Sequence, residues 1–147
     1  ILAAVTRSVM IAVVSIIVFY FIIDIQISNY VTLIAFTFLS SFILGSIGII
    51  AGLWAEKFDH MATVTNFVIV PLSFLSGTFY SISKLPEFLQ IASKLNPFFY
   101  MIDGFRYSFI GAADGSIYIG FFYLSFLSLI LWFITYLLYK NGYKIKS

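Results

Sequence analysis

Over residues 74–106 the chain reads FLSGTFYSISKLPEFLQIASKLNPFFYMIDGFR. This stretch is too polar to be one more membrane span, yet it is too apolar to be an ordinary exposed loop. Pro86 and Pro97 each stand at the start of a run of residues with helical spacing. Because proline is favoured in the first turn of a helix, the pattern predicts two short helices in series, at about 85–95 and 97–110.

The sequence also marks the ends of the second short helix. Asn96 is a suitable N-cap before Pro97, and Gly111 is a suitable residue to end the helix. Asp103 and Arg106 are three residues apart, so they can pair on one helical face. Each predicted helix has about a dozen residues, which is typical of interfacial or re-entrant segments rather than of membrane crossings. The aromatic side chains are candidates for an interfacial belt or for the lining of an exit path: Phe98, Phe99, Tyr100, Tyr107 and Phe109.

The composition places the rest of the chain in a membrane. Hydrophobic residues make up 62% of the sequence and charged residues 10%, whereas a soluble domain is about half apolar and a quarter charged. The net charge of +2 is spread without a basic patch, which argues against a nucleic-acid partner. The chain has no cysteine, so it can form neither a disulfide framework nor a thiolate metal site.

Four stretches are long and apolar enough to cross ~30 Å of hydrocarbon at ~1.5 Å of rise per residue. They lie at about 1–23, 31–53, 63–82 and 117–139. The predicted fold class is therefore all-α and integral to the membrane, with four spans and with the two short helices between the third and the fourth. Since the first span begins at once and without Met, we expect the chain to be part of a longer protein.

The distribution of Lys and Arg predicts the orientation of these spans. One side of the membrane receives Arg7, Lys57, Lys140, Lys144 and Lys146, and the other receives Lys84, Lys94 and Arg106. The basic tail directly follows the last span, where positive charge counts most. This places the C-terminus in the cytoplasm and the two short helices on the outer side.

The second predicted span carries small residues on one helical face, at Ser41, Gly45, Gly48 and Gly52. Small residues allow close helix approach in lipid. This face is expected either to pack inside the same subunit or to contact a second subunit.

Several elements of the sequence, in order, resemble the permeases of type-2 ABC exporters. The resemblance covers about residues 52–111. The matching elements are Pro71, Ser76–Gly77–Thr78–Phe79, Leu85–Pro86, Asn96–Pro97–Phe98 and Asp103–Gly104–Phe105–Arg106. The resemblance implies a six-span protein with both termini cytoplasmic and with a re-entrant helix pair that enters from outside. Residues 1–147 would then be a single transmembrane domain comprising the third to sixth spans. The residues implied at an outer gate are Pro71, Ser76, Gly77, Pro86, Asn96, Pro97, Asp103 and Arg106.

The resemblance also implies partners and a location. A cytoplasmic ATPase would bind ATP and Mg²⁺, a second permease copy would complete the translocation path, and lipids of a bacterial inner membrane would surround it. This chain holds no G-x-x-x-x-G-K-[ST] loop, so no cofactor is expected on it. The polar turn after the second span is expected to touch the ATPase through Glu56, Lys57, Asp59 and His60. Exported substrates in such families include glycans, lipid-linked molecules and drugs.

Two other classes of protein remain as alternatives. A membrane-embedded enzyme that modifies lipids or glycans should cluster catalytic residues at one membrane depth, and we assign no catalytic residue. His60 and the acids around it have the residue types of a metal site, but a solvated polar turn at the membrane surface explains them better, and no metal site is assigned. A non-catalytic membrane scaffold would not need the paired short helices.

Overall fold

The computed structural model describes residues 1–22, 27–55, 58–78 and 81–141. Throughout this described part the regular structure is helical, which agrees with the predicted all-α class. The α-helices are α1 (Leu2–Ile22), α2 (Tyr30–Trp54), α3 (Phe58–Val64), α4 (Val70–Phe74), α5 (Glu87–Leu95), α6 (Pro97–Ile110) and α7 (Ile117–Lys140). A π-helix, Thr65–Ile69, joins α3 to α4, and a 3-10 turn, Ile82–Lys84, precedes α5.

Three helices of the described residues, α1, α2 and α7, are long and apolar enough to cross a membrane. The predicted third span, 63–82, corresponds to the continuous run of α3, the π-helix and α4, which ends at Phe74. Pro71 lies in the first turn of α4 and cannot donate a backbone hydrogen bond, and the wider π register occurs directly before it. Beyond this run, Gly77 adopts a φ of +76°, a left-handed conformation that glycine adopts readily.

The core lies where α2, α6 and α7 meet. Its buried side chains are Phe36, Ile43, Phe98, Met101 and Leu124. In contrast, α1 packs against α2, and every described side chain of α1 is half-buried or exposed. In a membrane protein this exposure is an expected consequence of lipid contact.

The helix contacts define two ends of the bundle. Helices α2 and α7 run parallel, because Phe36 contacts Phe121 while Phe42 and Trp132 line the same crevice further along both helices. Helix α6 lies beside the starts of α2 and α7, and this region is called the α6 end. The opposite end holds the start of α1 and the last turns of α2 and α7.

Candidate functional site

Helix α6 is the element around which the predicted outer-gate residues gather, and Asn96 fixes where it begins. The Asn96 side chain accepts a hydrogen bond from the backbone N–H of Phe98 at 3.0 Å, which confirms the predicted N-cap. Its Nδ2 also donates to the backbone carbonyl of Leu72 at 2.6 Å. Since Asn96 is buried, both bonds are shielded from water. One side chain thus starts α6 and ties it to α4.

The other end of α6 is bound to the start of α2. Gly111 ends the helix with a φ of +68°, as its position predicted. The hydroxyl of Ser28 donates to the carbonyl of Phe109 at 2.9 Å, and the N–H of Asn29 donates to the carbonyl of Ser108 at 3.1 Å. Carbonyl groups in the last turn of α6, which lack helical partners, are thereby satisfied by the segment that leads into α2.

Gly104 allows α6 and α2 to approach closely. A Cβ atom at this position would lie 2.1 Å from Cδ1 of Phe36, which is far inside van der Waals contact. Both residues are buried, and Phe36 belongs to the core. Any side chain at position 104 would therefore have to push the Phe36 ring or the whole helix away.

The loops beside α6 form a polar network around one arginine, here called the Arg106 cluster. It comprises Arg106, Asp103, Asp114, Ser81 and the Gly77 carbonyl. Arg106 Nη1 lies 2.8 Å from Asp114 Oδ2, and Arg106 Nη2 donates to the Gly77 carbonyl at 2.6 Å. The Ser81 hydroxyl donates to Asp114 Oδ1 at 2.9 Å. The cluster thus joins α6, the segment after α4 and the loop before α7.

Asp103 is satisfied mainly by the backbone. Its two carboxylate oxygens accept the N–H groups of Asp114 at 2.7 Å and Gly115 at 2.9 Å. The predicted ion pair with Arg106 is present, but Nη1 and Oδ1 are 3.7 Å apart. The side chain of Asp103 is only 3% exposed. Burial raises its pKa above the ordinary range, and the two backbone bonds and Arg106 offset only part of that rise.

Asp114 behaves in the opposite way. Partial burial of its carboxylate acts to raise the pKa. Hydrogen bonds from the Ser81 hydroxyl, the Ile82 N–H and Arg106 outweigh that effect, so the pKa of Asp114 lies below its ordinary value. Asp114 is therefore the close anionic partner of Arg106. The sequence had predicted Asp103 for this role.

The remaining predicted gate residues are not part of this network in the described structure. Ser76 is buried, and its hydroxyl contacts the Ser73 carbonyl and lies 3.0 Å from the Thr78 hydroxyl. The Pro86 carbonyl accepts from Leu89 and Gln90 at the start of α5. Pro71 lies in the helical run before the cluster. Phe79, part of the matching motif, lies outside the described residues.

The aromatic side chains of α6 do not form a single surface. Phe98 is 8% exposed and Phe99 is 1% exposed, so both belong to the interior. Tyr100 packs against Phe99 and Tyr123. The expectation that all five aromatics line an exit or form a belt is therefore wrong for Phe98 and Phe99, because the core of the bundle takes them.

At the opposite end, the polar turn after α2 is only partly described. Glu56 and Lys57 lie outside the described residues. Asp59 lies in the first turn of α3, and the His60 ring lies 5.5 Å from the Trp54 ring, centroid to centroid. Within the described ranges, no three His, Asp or Glu side chains come together in a way that suits a metal ion.

The small residues of α2 face α1 to different degrees. A Cβ atom at Gly45 would lie 2.9 Å from Cβ of Ala4, so Gly45 allows contact between α1 and α2. Buried Ser41 donates its hydroxyl to the carbonyl of Thr37 in its own helix. Gly48 and Gly52 have no neighbour within 4 Å of such an atom in the described part of the chain. Only the first part of the stripe is thus covered by α1.

The arrangement described is that of a multi-pass integral membrane protein whose short helix α6 ties several elements together at one end. The family profile of the ABC-2 type transporter matches residues 1–110. The chain belongs to this family.

Curated relatives of the chain are named as membrane transport permeases. The inner membrane transport permease YadH of Escherichia coli strain K12 is 39% identical over 94 residues, which cover 64% of this chain and 37% of that protein. Proteins of the same name from E. coli O157:H7 and Shigella flexneri match to the same extent. The match thus spans little more than a third of these relatives. None of the solved structures matches the chain significantly.

Proposed function

We propose that this chain is the C-terminal, four-span portion of a permease subunit in an ATP-driven exporter of a bacterial inner membrane. The continuous run α3–π–α4 serves as the third crossing, and α5 and α6 form the re-entrant pair on the outer side. The C-terminus then lies in the cytoplasm. Family membership and the names of the relatives support transport across the inner membrane.

The observation that carries the proposal is the Arg106 cluster together with the Asn96 bridge. These contacts tie α6 to the segment around α4 and to the loop before α7. A short helix bound to several spans moves with them when they shift, which is the mechanical requirement for an outer gate. We assign the gate to Pro71, Ser76, Gly77, Pro86, Asn96, Pro97, Asp103 and Arg106.

The energy for transport comes from ATP hydrolysis by a partner protein. We propose that a cytoplasmic ATPase binds ATP and Mg²⁺ and contacts the turn that contains Glu56, Lys57, Asp59 and His60. A second permease copy completes the path, with the open residue Gly52 available for helix contact. The proposed substrates are glycans, lipid-linked molecules or drug-like compounds.

Transport by the full-length protein tests the proposal. Replacing the Walker lysine of the partner ATPase should stop export from cells while the permease still inserts into the membrane and assembles. Quantitative immunoblotting of the membrane fraction controls for expression. Export that continues with the inactive ATPase would exclude an ATP-driven mechanism.

Cysteine labelling tests the orientation, because the chain has no cysteine of its own. A membrane-impermeant maleimide should label Lys94→Cys in intact cells, since Lys94 is exposed on α5. Lys144→Cys, in the basic tail, should be labelled only after the membrane is permeabilised. The reverse pattern would invert the proposed topology.

A further inference from the structure

Arg7, in helix α1, is a cation whose side chain has no ion-pair or hydrogen-bond partner among the described residues. It lies five residues into α1, at ~1.5 Å of rise per residue, and its side chain is exposed. Among the ion pairs and hydrogen bonds of the described residues, none involves the Arg7 side chain. An ionisable residue at such a depth is costly unless it meets an opposite charge or reaches the interface.

Arg7 lines a cleft between α1 and α2. The cleft has a volume of about 830 Å³, and its wall includes Thr37, Ser40, Ser41 and Gly48. A second cleft of about 860 Å³ continues along the same two helices and is lined largely by apolar side chains such as Ile16 and Leu33. Ala12 and Phe105 line both clefts, so the two clefts are adjacent, and together they are here called the groove. Each volume falls within the ~300–1,000 Å³ of typical ligand sites.

The groove is polar at one end and apolar along the rest. At the Arg7 end, the hydroxyls of Ser8, Thr37 and Ser41 donate to carbonyls of their own helices. Ser40 is the exception, because its buried hydroxyl has no partner within the described ranges. No Asp or Glu is among the described residues that line either cleft. The groove therefore offers positive charge without a counter-charge, beside a long apolar wall.

We infer that this groove binds an anionic phospholipid of the bilayer, with the headgroup phosphate at Arg7 and an acyl chain along α1 and α2. The long arginine side chain can extend from its position near the helix end toward the phosphate layer. The phosphate layer that the side chain can reach is rich in anionic groups, whereas acidic side chains are rare within membrane helices. A zwitterionic lipid is less suited, because the described lining offers no carboxylate to its amine.

Photocrosslinking of the full-length protein in nanodiscs tests this site. The probe is phosphatidylglycerol with a diazirine in its acyl chain, compared with phosphatidylcholine that carries the same chain. Phosphatidylglycerol should label peptides of α1 and α2 that line the groove. Arg7→Gln should reduce this labelling about fivefold, as expected for the loss of one cation near anionic lipid. Arg7→Lys should retain most of it.

Two matched controls separate the groove from general membrane contact. Lys140→Gln removes a cation from the last turn of α7, away from the groove, and should leave the labelling unchanged. Gly48→Leu places a side chain in the groove, where a Cβ atom meets no described neighbour within 4 Å, and should block the labelling. Gly52→Leu, equally open but not part of the described lining, should not block it.

Three results would overturn the inference. The first is equal labelling of the native protein and Arg7→Gln, and the second is equal labelling by the two lipids. The third is an unlabelled groove in a folded protein, which would mean that another polypeptide segment occupies it.

Discussion

Helix α2 has two sides that are packed in different ways. On the side of α6, Phe36 lies against Gly104 so closely that no Cβ atom fits between the helices. On the side of α1, Gly45 approaches Ala4, but Gly48 and Gly52 face open space in the described structure. One side of α2 is completed within the chain, whereas the other leaves a groove.

Arg106, on the α6 side, and Arg7, on the α1 side, also differ in whether they have partners among the described residues. Arg106 contacts Asp114 and the Gly77 carbonyl, and its side chain is 24% exposed. Arg7 is exposed and has no ion-pair partner in the described part of the protein. A cation that is satisfied internally stabilises the fold, while a cation without an internal partner is available to a ligand. Mutations at matched positions should therefore have unequal effects.

The largest difference is expected between two glycines. Gly104→Leu should destabilise the protein by at least the ~1–3 kcal/mol that overpacking typically costs, because its side chain would overlap the Phe36 ring. Gly48→Leu should leave the stability unchanged or slightly raised, since leucine favours the helix and meets open space. Thermal unfolding of the full-length protein in nanodiscs measures both changes. Equal midpoints would contradict the difference in packing.

The second difference concerns the arginines. Arg106→Ala should cost about 1–3 kcal/mol, because the Gly77 carbonyl and Asp114 each lose a charged hydrogen-bond donor. Arg106→Lys should restore only part of this loss, since an ammonium group lacks the fork that reaches both acceptors. Arg7→Ala should leave the unfolding midpoint unchanged in nanodiscs of phosphatidylcholine alone, where no anionic lipid is present to bind Arg7. A silent Arg106→Ala would show that the cluster does not hold α6.

Export provides a second measure of the Arg106 cluster at equal expression. Arg106→Ala leaves Asp103 and Asp114 close together without their shared cation. The double variant Arg106→Gln with Asp114→Asn removes both charges of the close pair and keeps groups that can form hydrogen bonds. Removing one partner of a charge pair usually costs more than replacing both. The single variant should therefore export less than the double variant.

The sequence predicted the elements of the α6 end better than their partners. The cap at Asn96, the start at Pro97 and the stop at Gly111 depend on local backbone chemistry, so they could be read from neighbouring residues. The pairing of Arg106 with Asp114 depends on a loop that turns back onto α6. Helical spacing favours Asp103, three residues away, and it carries no information about that loop. The signal that was available for this contact is the pair Asp114–Gly115, which lies just before the last predicted span.

The packing between helices could not be predicted from the sequence either. The sequence shows Gly104 within a motif, but the contact with Phe36 joins distant parts of the chain. Likewise, the small-residue face of α2 was visible, but its division into a covered part and an open part depends on where α1 ends its contact. The helical run 58–74 also begins earlier and stops earlier than the apolar pattern 63–82 suggests, since the turn around Gly77 ends it.

A smaller effect is expected from the loss of helix caps. Asn96→Ala should cost about 0.5–2 kcal/mol through the lost cap, and the Leu72 carbonyl would also lose its donor. Asn29→Ala, at the start of α2, removes a cap to Thr32 but no comparable bridge. Asn96→Ala should therefore lower the unfolding midpoint further than Asn29→Ala. The opposite order would show that the bridge between α6 and α4 adds no stability.

The smallest effect is a dependence of stability on pH that belongs to the α6 side alone. The lowered pKa of Asp114 means that its carboxylate stabilises the fold above the ordinary value of about 4, and that this contribution is lost as the pH falls further. The raised pKa of Asp103 has the opposite sign, because its buried charge costs stability at neutral pH and protonation relieves that cost. Asp114→Asn should thus flatten the decline of the unfolding midpoint as the pH falls below about 4. Asp103→Asn should abolish the increase of the unfolding midpoint that is expected as the pH falls toward about 4 from above. Arg7→Gln should leave both parts of the profile unchanged, and a profile altered by Arg7→Gln would mean that the two sides of α2 are coupled.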